Sequence, residues 1–156
     1  MRNLIVCLLI GCGGSTPPPQ TPPPSNALPT GQQPPTQTTA TGLTQDVCAQ
    51  KKNDFGPVEL REDQVALRRG TGVQRLSDLA STREAPIEVC NPAGQREWLT
   101  AVTCAGGEKP TGAQRSGSVG PGGTCGSIVD LYMVGCPEKQ YEVFMDMYMC
   151  PPGKGF

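Results

Sequence analysis

Six cysteines constrain this chain more than any other feature. Cys48, Cys90, Cys104, Cys125, Cys136 and Cys150 all fall in the last 111 of its 156 residues. A set this dense in a small unit either staples the fold with disulfides or binds metal through thiolates. The spacing argues for disulfides. There is no Cys-x-x-Cys, and ten residues separate even the nearest pair, Cys125 and Cys136. Zinc ribbons and iron–sulfur sites use tighter spacing. Six is even, so three disulfides are expected if the domain is exported. Fifteen pairings are possible, and the sequence does not choose among them.

The N-terminus bears on export. Met1-Arg2-Asn3 carries one positive side chain, and Leu4 to Ile10 is apolar but far too short to span a bilayer. Leu9-Ile10-Gly11-Cys12 closes that run, and the small residues Gly13, Gly14 and Ser15 follow. This stretch resembles the lipobox of bacterial lipoproteins. The resemblance implies that residues 1–11 are a signal peptide, removed together with Cys7, and that Cys12 carries the lipid. It implies diacylation on sulfur, often with acylation of the amine; two or three chains anchor stably where one is marginal. Gly13, rather than Asp, is similar to lipoproteins that go on to the outer membrane of two-membrane bacteria. The resemblance covers only the first dozen residues. It implies a lipid-anchored place in the cell envelope and no particular activity.

Residues 12–45 read as the lipidated Cys followed by a Pro/Thr/Gln-rich tether. From Gly13 to Gln45 there is no charged residue, and nine of the seventeen prolines fall there. With almost nothing apolar to bury, such a segment cannot offset its ordering entropy and is expected to be disordered. Its proline clusters favour polyproline II, and 33 residues at about 3.1 Å each reach roughly 100 Å. Residues 46–156 remain as one domain. Its formal net charge is −2, which gives no footprint for nucleic acid and no polybasic membrane patch. Histidine is absent, which removes Ser-His and Cys-His activation, His-ligated zinc and His-based pH switching.

Within the domain the expected class is mainly β, a small disulfide-stapled antiparallel sheet or sandwich of hairpins with one short helix. Glu59 to Arg69 has good helix formers between Pro57 and Gly70 and predicts that helix. Val73 to Ala80 is undecided. Ile87–Cys90, the turn Asn91–Gly94 and Arg96–Cys104 read as a hairpin, as do Ser127–Cys136, Pro137–Gln140 and Tyr141–Cys150. Both units contain Cys-x13-Cys, Cys90 to Cys104 and Cys136 to Cys150, which suggests a weak internal repeat. Between them, Gly106 to Gly126 reads as a long loop pinned at Cys104 and Cys125, suited to facing a partner. No Gly-Lys-Ser/Thr follows its glycines, so it is not a phosphate loop.

Candidate chemistry is sparse. Met145, Met147 and Met149 alternate, so on one strand their thioethers would share a face and suit Cu(I). In the expected hairpin, Cys136 opposes Tyr141, Val134 opposes Val143 and Tyr132 opposes Met145. That makes the Met face a hydrophobic core with adaptable filler, the stronger reading. Glu142 and Asp146 share a strand face but lie about 13 Å apart, too far for a glycosidase pair, and Asp130 falls on the opposite face. Trp98, Tyr132, Tyr141, Phe144 and Tyr148 read as core and sheet packing before they read as a saccharide-stacking face. No catalytic residue and no cofactor is expected. The reading is a non-catalytic binding or structural module, its partner an unknown envelope or extracellular protein or polysaccharide. Soft-metal binding through the Met strand is the alternative, and an enzyme or protease inhibitor comes third.

Overall fold

A computed structural model describes residues 43–156. The expected signal peptide, the lipid site at Cys12 and most of the expected tether lie outside the described residues. The domain is mainly β, with two sheets and a few short helices. Its strands are β1 (Val58–Glu59), β2 (Ile87–Glu88), β3 (Gly112–Gly122), β4 (Ser127–Gly135), β5 (Gln140–Asp146) and β6 (Met149–Cys150). Helix α1 is Glu62–Val65 and α2 is Asn91–Ala101; 3-10 turns cover Gln45–Gln50 and Leu76–Asp78. One sheet has the order β2-β5-β4-β3, and the other pairs β1 with β6. β4 and β5 pair antiparallel, as expected; β3 adds to β4 antiparallel, while β2 joins β5 and β1 joins β6 in parallel.

The cysteines pair as Cys48–Cys125, Cys90–Cys150 and Cys104–Cys136. They brace two apolar clusters. The larger gathers Leu76, Ile87, Val89, Val102, Val143 and Met145 with the inner faces of Trp98 and Leu99. The smaller holds Leu43, Val47, Val58, Leu60 and Met149. Leu43 is 1% exposed, so packed structure reaches back at least that far.

The β4–β5 hairpin forms with its register moved by two residues. Val134 opposes Tyr141, Tyr132 opposes Val143 and Asp130 opposes Met145. A shift of two preserves the alternation of faces, so every inward residue stays inward. Val134 and Val143 are fully buried accordingly.

The other expected hairpin does not exist, and the internal repeat falls with it. Residues 91–101 are helix, not turn and strand. Asn-Pro reads equally well as a helix start, and here it is one. The Asn91 side chain accepts from the Ala93 and Gly94 amides, and Pro92 sits at the first turn, where no amide is needed. Gln95, Trp98, Leu99 and Val102 then face the core at helical spacing. At the other end Lys109 Nζ donates to the carbonyls of Thr100, Ala101 and Val102, a cation on the negative end of the helix.

The helix expected over Glu59–Arg69 shrinks to α1. In a longer helix the Arg69 amide would bond to the Val65 carbonyl. It bonds instead to Glu88 Oε2, and Arg68 Nε takes the Val65 carbonyl. Tertiary partners outcompete the next helical turn. The expected loop Gly106–Gly126 is corrected as well, because most of it is β3. Its glycines and Pro121 suit an edge strand interrupted by two register shifts, one between Arg115 and Gly117, the other between Ser118 and Pro121. At Gly122 a Cβ would collide with the Arg83 carbonyl oxygen, so only glycine lets the strand end pass there.

Candidate functional site

A groove of about 760 Å³ lies along α2. One wall is the 70–74 loop and the other is Ala93, Gly94, Glu97 and Trp98 of α2. Val89, Cys90 and Asn91 run along its floor, and Pro151 and Lys154 close one end. The walls are held by specific bonds. Trp98 Nε1 donates to the Gly70 carbonyl across the groove, 3.1 Å away, and the Cys90–Cys150 disulfide ties floor to end. Asn91 holds φ at +56°, a conformation Asn tolerates better than most residues, and its side chain caps α2 in compensation. Arg68 lines the same groove with its guanidinium on the backbone carbonyls of Val65 and Met149. Burial pushes its pKa down, and nearby Glu88 works the other way.

Behind α2 lies a polar network. Asp130, 3% exposed, accepts from Gln95 Nε2 at 3.1 Å, Arg115 Nη2 at 2.6 Å and Ser118 Oγ at 3.0 Å. Tyr132 Oη donates to Gln95 Oε1. Burial opposes the charge, but the bonds from Arg115, Gln95 and Ser118 outweigh it and hold this carboxyl below its usual range. The network fixes α2 to the sheet.

A second buried carboxyl lies one ladder step away on the other face. Asp146 is fully buried and opposes Glu88, 3% exposed, across β2 and β5. Glu88 accepts from Thr124 Oγ1 and the Arg69 amide. Asp146 Oδ1 accepts from the Tyr148 amide, but Oδ2 has no hydrogen-bond partner among the described residues. Burial is the main cause that raises this carboxyl to about 7, with Glu88 adding to it and the Tyr148 amide opposing it. Sequence reading weighed Asp146 against Glu142 on its own strand and missed Glu88. The signal was faint: a Glu in an apolar run, Ile87-Glu-Val89, on a strand whose parallel pairing no local pattern announces.

The Met strand does not keep a common face. β5 ends at Asp146 and β6 starts at Met149, so the alternation breaks at Met147 and Tyr148. Met145 is buried in the larger cluster with Met147 packed against it, while Met149 is buried in the smaller one. Nor do the aromatics form one open face. Tyr141 and Tyr148 are buried, Tyr132 bonds to Gln95, and Trp98 alone of the five lines the groove. Cys104, Cys136 and Glu138 lie close enough together to suggest a metal site. The two sulfurs are bonded to each other, however, and Glu138 Oε1 already accepts from the Ala105 amide and Tyr141 Oη. No described helix is long and apolar enough to cross a membrane. Comparison of the chain with protein families, with characterised proteins and with solved structures finds no match.

Proposed function

We propose that this chain is a lipid-anchored envelope protein whose folded domain is a non-catalytic binding or structural module. Lipid on Cys12 holds it at a membrane, a proline-rich tether spaces it outward, and the groove beside Trp98 engages an envelope or extracellular protein or polysaccharide. The groove carries the binding half of this reading. It combines an exposed backbone loop, an aromatic side chain and mixed charge within walls braced by a disulfide. The Leu9–Cys12 motif carries the anchoring half.

The two halves are tested separately. Metabolic labelling with a tagged fatty acid, followed by fractionation, is expected to label the wild type and pellet it with membranes; Cys12→Ser should lose both. Label retained in Cys12→Ser would end the anchoring reading. For the groove, cross-linking in intact envelopes should map partner contacts to the 70–74 loop and α2. Ala93→Trp, which fills the groove from an exposed helical position, should abolish them with the fold intact. Cross-links that persist, or that cluster elsewhere, would end the binding reading.

A further inference from the structure

Two buried carboxyls side by side cannot both ionise cheaply, because each charge raises the cost of the other in a site that water does not reach. Glu88 and Asp146 are such a pair, opposed in parallel strands and both nearly inaccessible. Their hydrogen bonds divide the roles. Glu88 has both oxygens occupied by donors, from Thr124 and Arg69. Asp146 has one donor, and its Oδ2 is bare. Ser127 Oγ, on β4, is also buried without a hydrogen-bond partner; its hydroxyl favours the ionised form of Asp146, but less than burial disfavours it. The other groups that face Asp146 are Tyr148 on its own strand segment and Lys51. The Lys51 ammonium is engaged by the carbonyls of Cys125 and Gly126 and by Asp54. Its charge argues against a metal cation in the same space.

We propose that Glu88 and Asp146 form a pH-sensitive latch. While Asp146 Oδ2 keeps its proton, the pair ties the Arg69 amide, next to the groove wall, and the Thr124–Ser127 turn to the edge of the sheet. Loss of that proton puts a second charge beside Glu88 and loosens both attachments. The groove wall responds because the Arg69 amide hangs on Glu88 and the next residue, Gly70, holds Trp98. This does not depend on what the groove binds.

The test is hydrogen exchange of the Arg69 amide in the oxidised full chain, corrected for intrinsic exchange, from pH 5 to pH 9. With the carboxyl protonated in the closed form and ionised in the open one, the opening constant should rise about tenfold per pH unit and level off once Asp146 is ionised in both. Asp146→Asn should flatten the profile. A flat wild-type profile, or the same rise in Asp146→Asn, would overturn the latch. Should that variant fail to fold, carboxyl NMR of the wild type decides. Asp146 should titrate near 7, with the Arg69 and Thr124 amide shifts following the same midpoint. An Asp146 midpoint in the ordinary carboxylate range, or amides that do not follow, would refute it.

Discussion

Asp130 and Asp146 are buried to nearly the same degree, on neighbouring steps of one ladder, yet they sit in opposite electrostatic settings. The face under α2 gives Asp130 a guanidinium, an amide and a hydroxyl. The face under the Thr124–Ser127 turn gives Asp146 one backbone amide and a neighbouring carboxylate. Burial opposes the charge on both; the three donors at Asp130 outweigh it, and the single backbone amide at Asp146 does not. One face is fastened by charge. The other is fastened only while a second charge is absent.

The two faces should respond to pH with opposite signs. Asp146 is raised from 3.8 to about 7, so its contribution is complete below about pH 4 and lost as pH climbs through 7. That span corresponds to roughly 4 kcal/mol of unfolding free energy, read from urea midpoints between pH 4 and pH 8. Asp146→Asn should erase it. Asp130 is depressed, so its contribution is present above 3.8 and lost as pH falls through its folded value. Asp130→Leu strands the buried Gln95 amide and should cost about 2–3 kcal/mol at pH 7 while flattening the acid limb. Gly123→Ala crowds the other face. Its Cβ would lie 3.1 Å from Asp146 Oδ2 and 3.0 Å from Pro86 at a φ of +66°, costing about 1–2 kcal/mol by thermal melt. Tyr132→Phe only removes the outermost bond to Gln95, so about 1 kcal/mol is expected. If Asp130→Leu left stability unchanged, or removed the alkaline slope instead of the acid one, the contrast between the faces would collapse.

What was legible in the sequence follows from the same physics. The β4–β5 hairpin shows itself because alternation over nine and seven residues is a local signal that survives a register error of two. The even cysteine count pointed to three disulfides, but their pairing depends on which segments meet in space. Asn91-Pro92 was ambiguous because a turn and a helix start need the same two residues; the Gln95, Trp98, Leu99 and Val102 spacing beyond them held the answer. β3 was illegible because a strand so rich in Gly and Ser has little side-chain pattern to read, and it is held by pairing with β4 alone. The site suffered most. The groove joins residues from 68 to 154, and the Glu88–Asp146 pair spans two strands whose parallel alignment arises only once the fold closes.

The Cys48–Cys125 bond has a mechanical consequence. It closes 77 residues of sequence separation into a covalent ring just after Leu43 and Val47, the first packed residues among those described. A pull delivered from the N-terminal side would peel the short 3-10 turn and then meet that bond. From Cys48 the load passes straight to Cys125 and the start of β4, and the chain between them lies off the force path. Both walls of the groove from residue 68 to residue 98 belong to that ring. Tension could strip the domain's N-terminal edge without drawing out the chain that forms those walls.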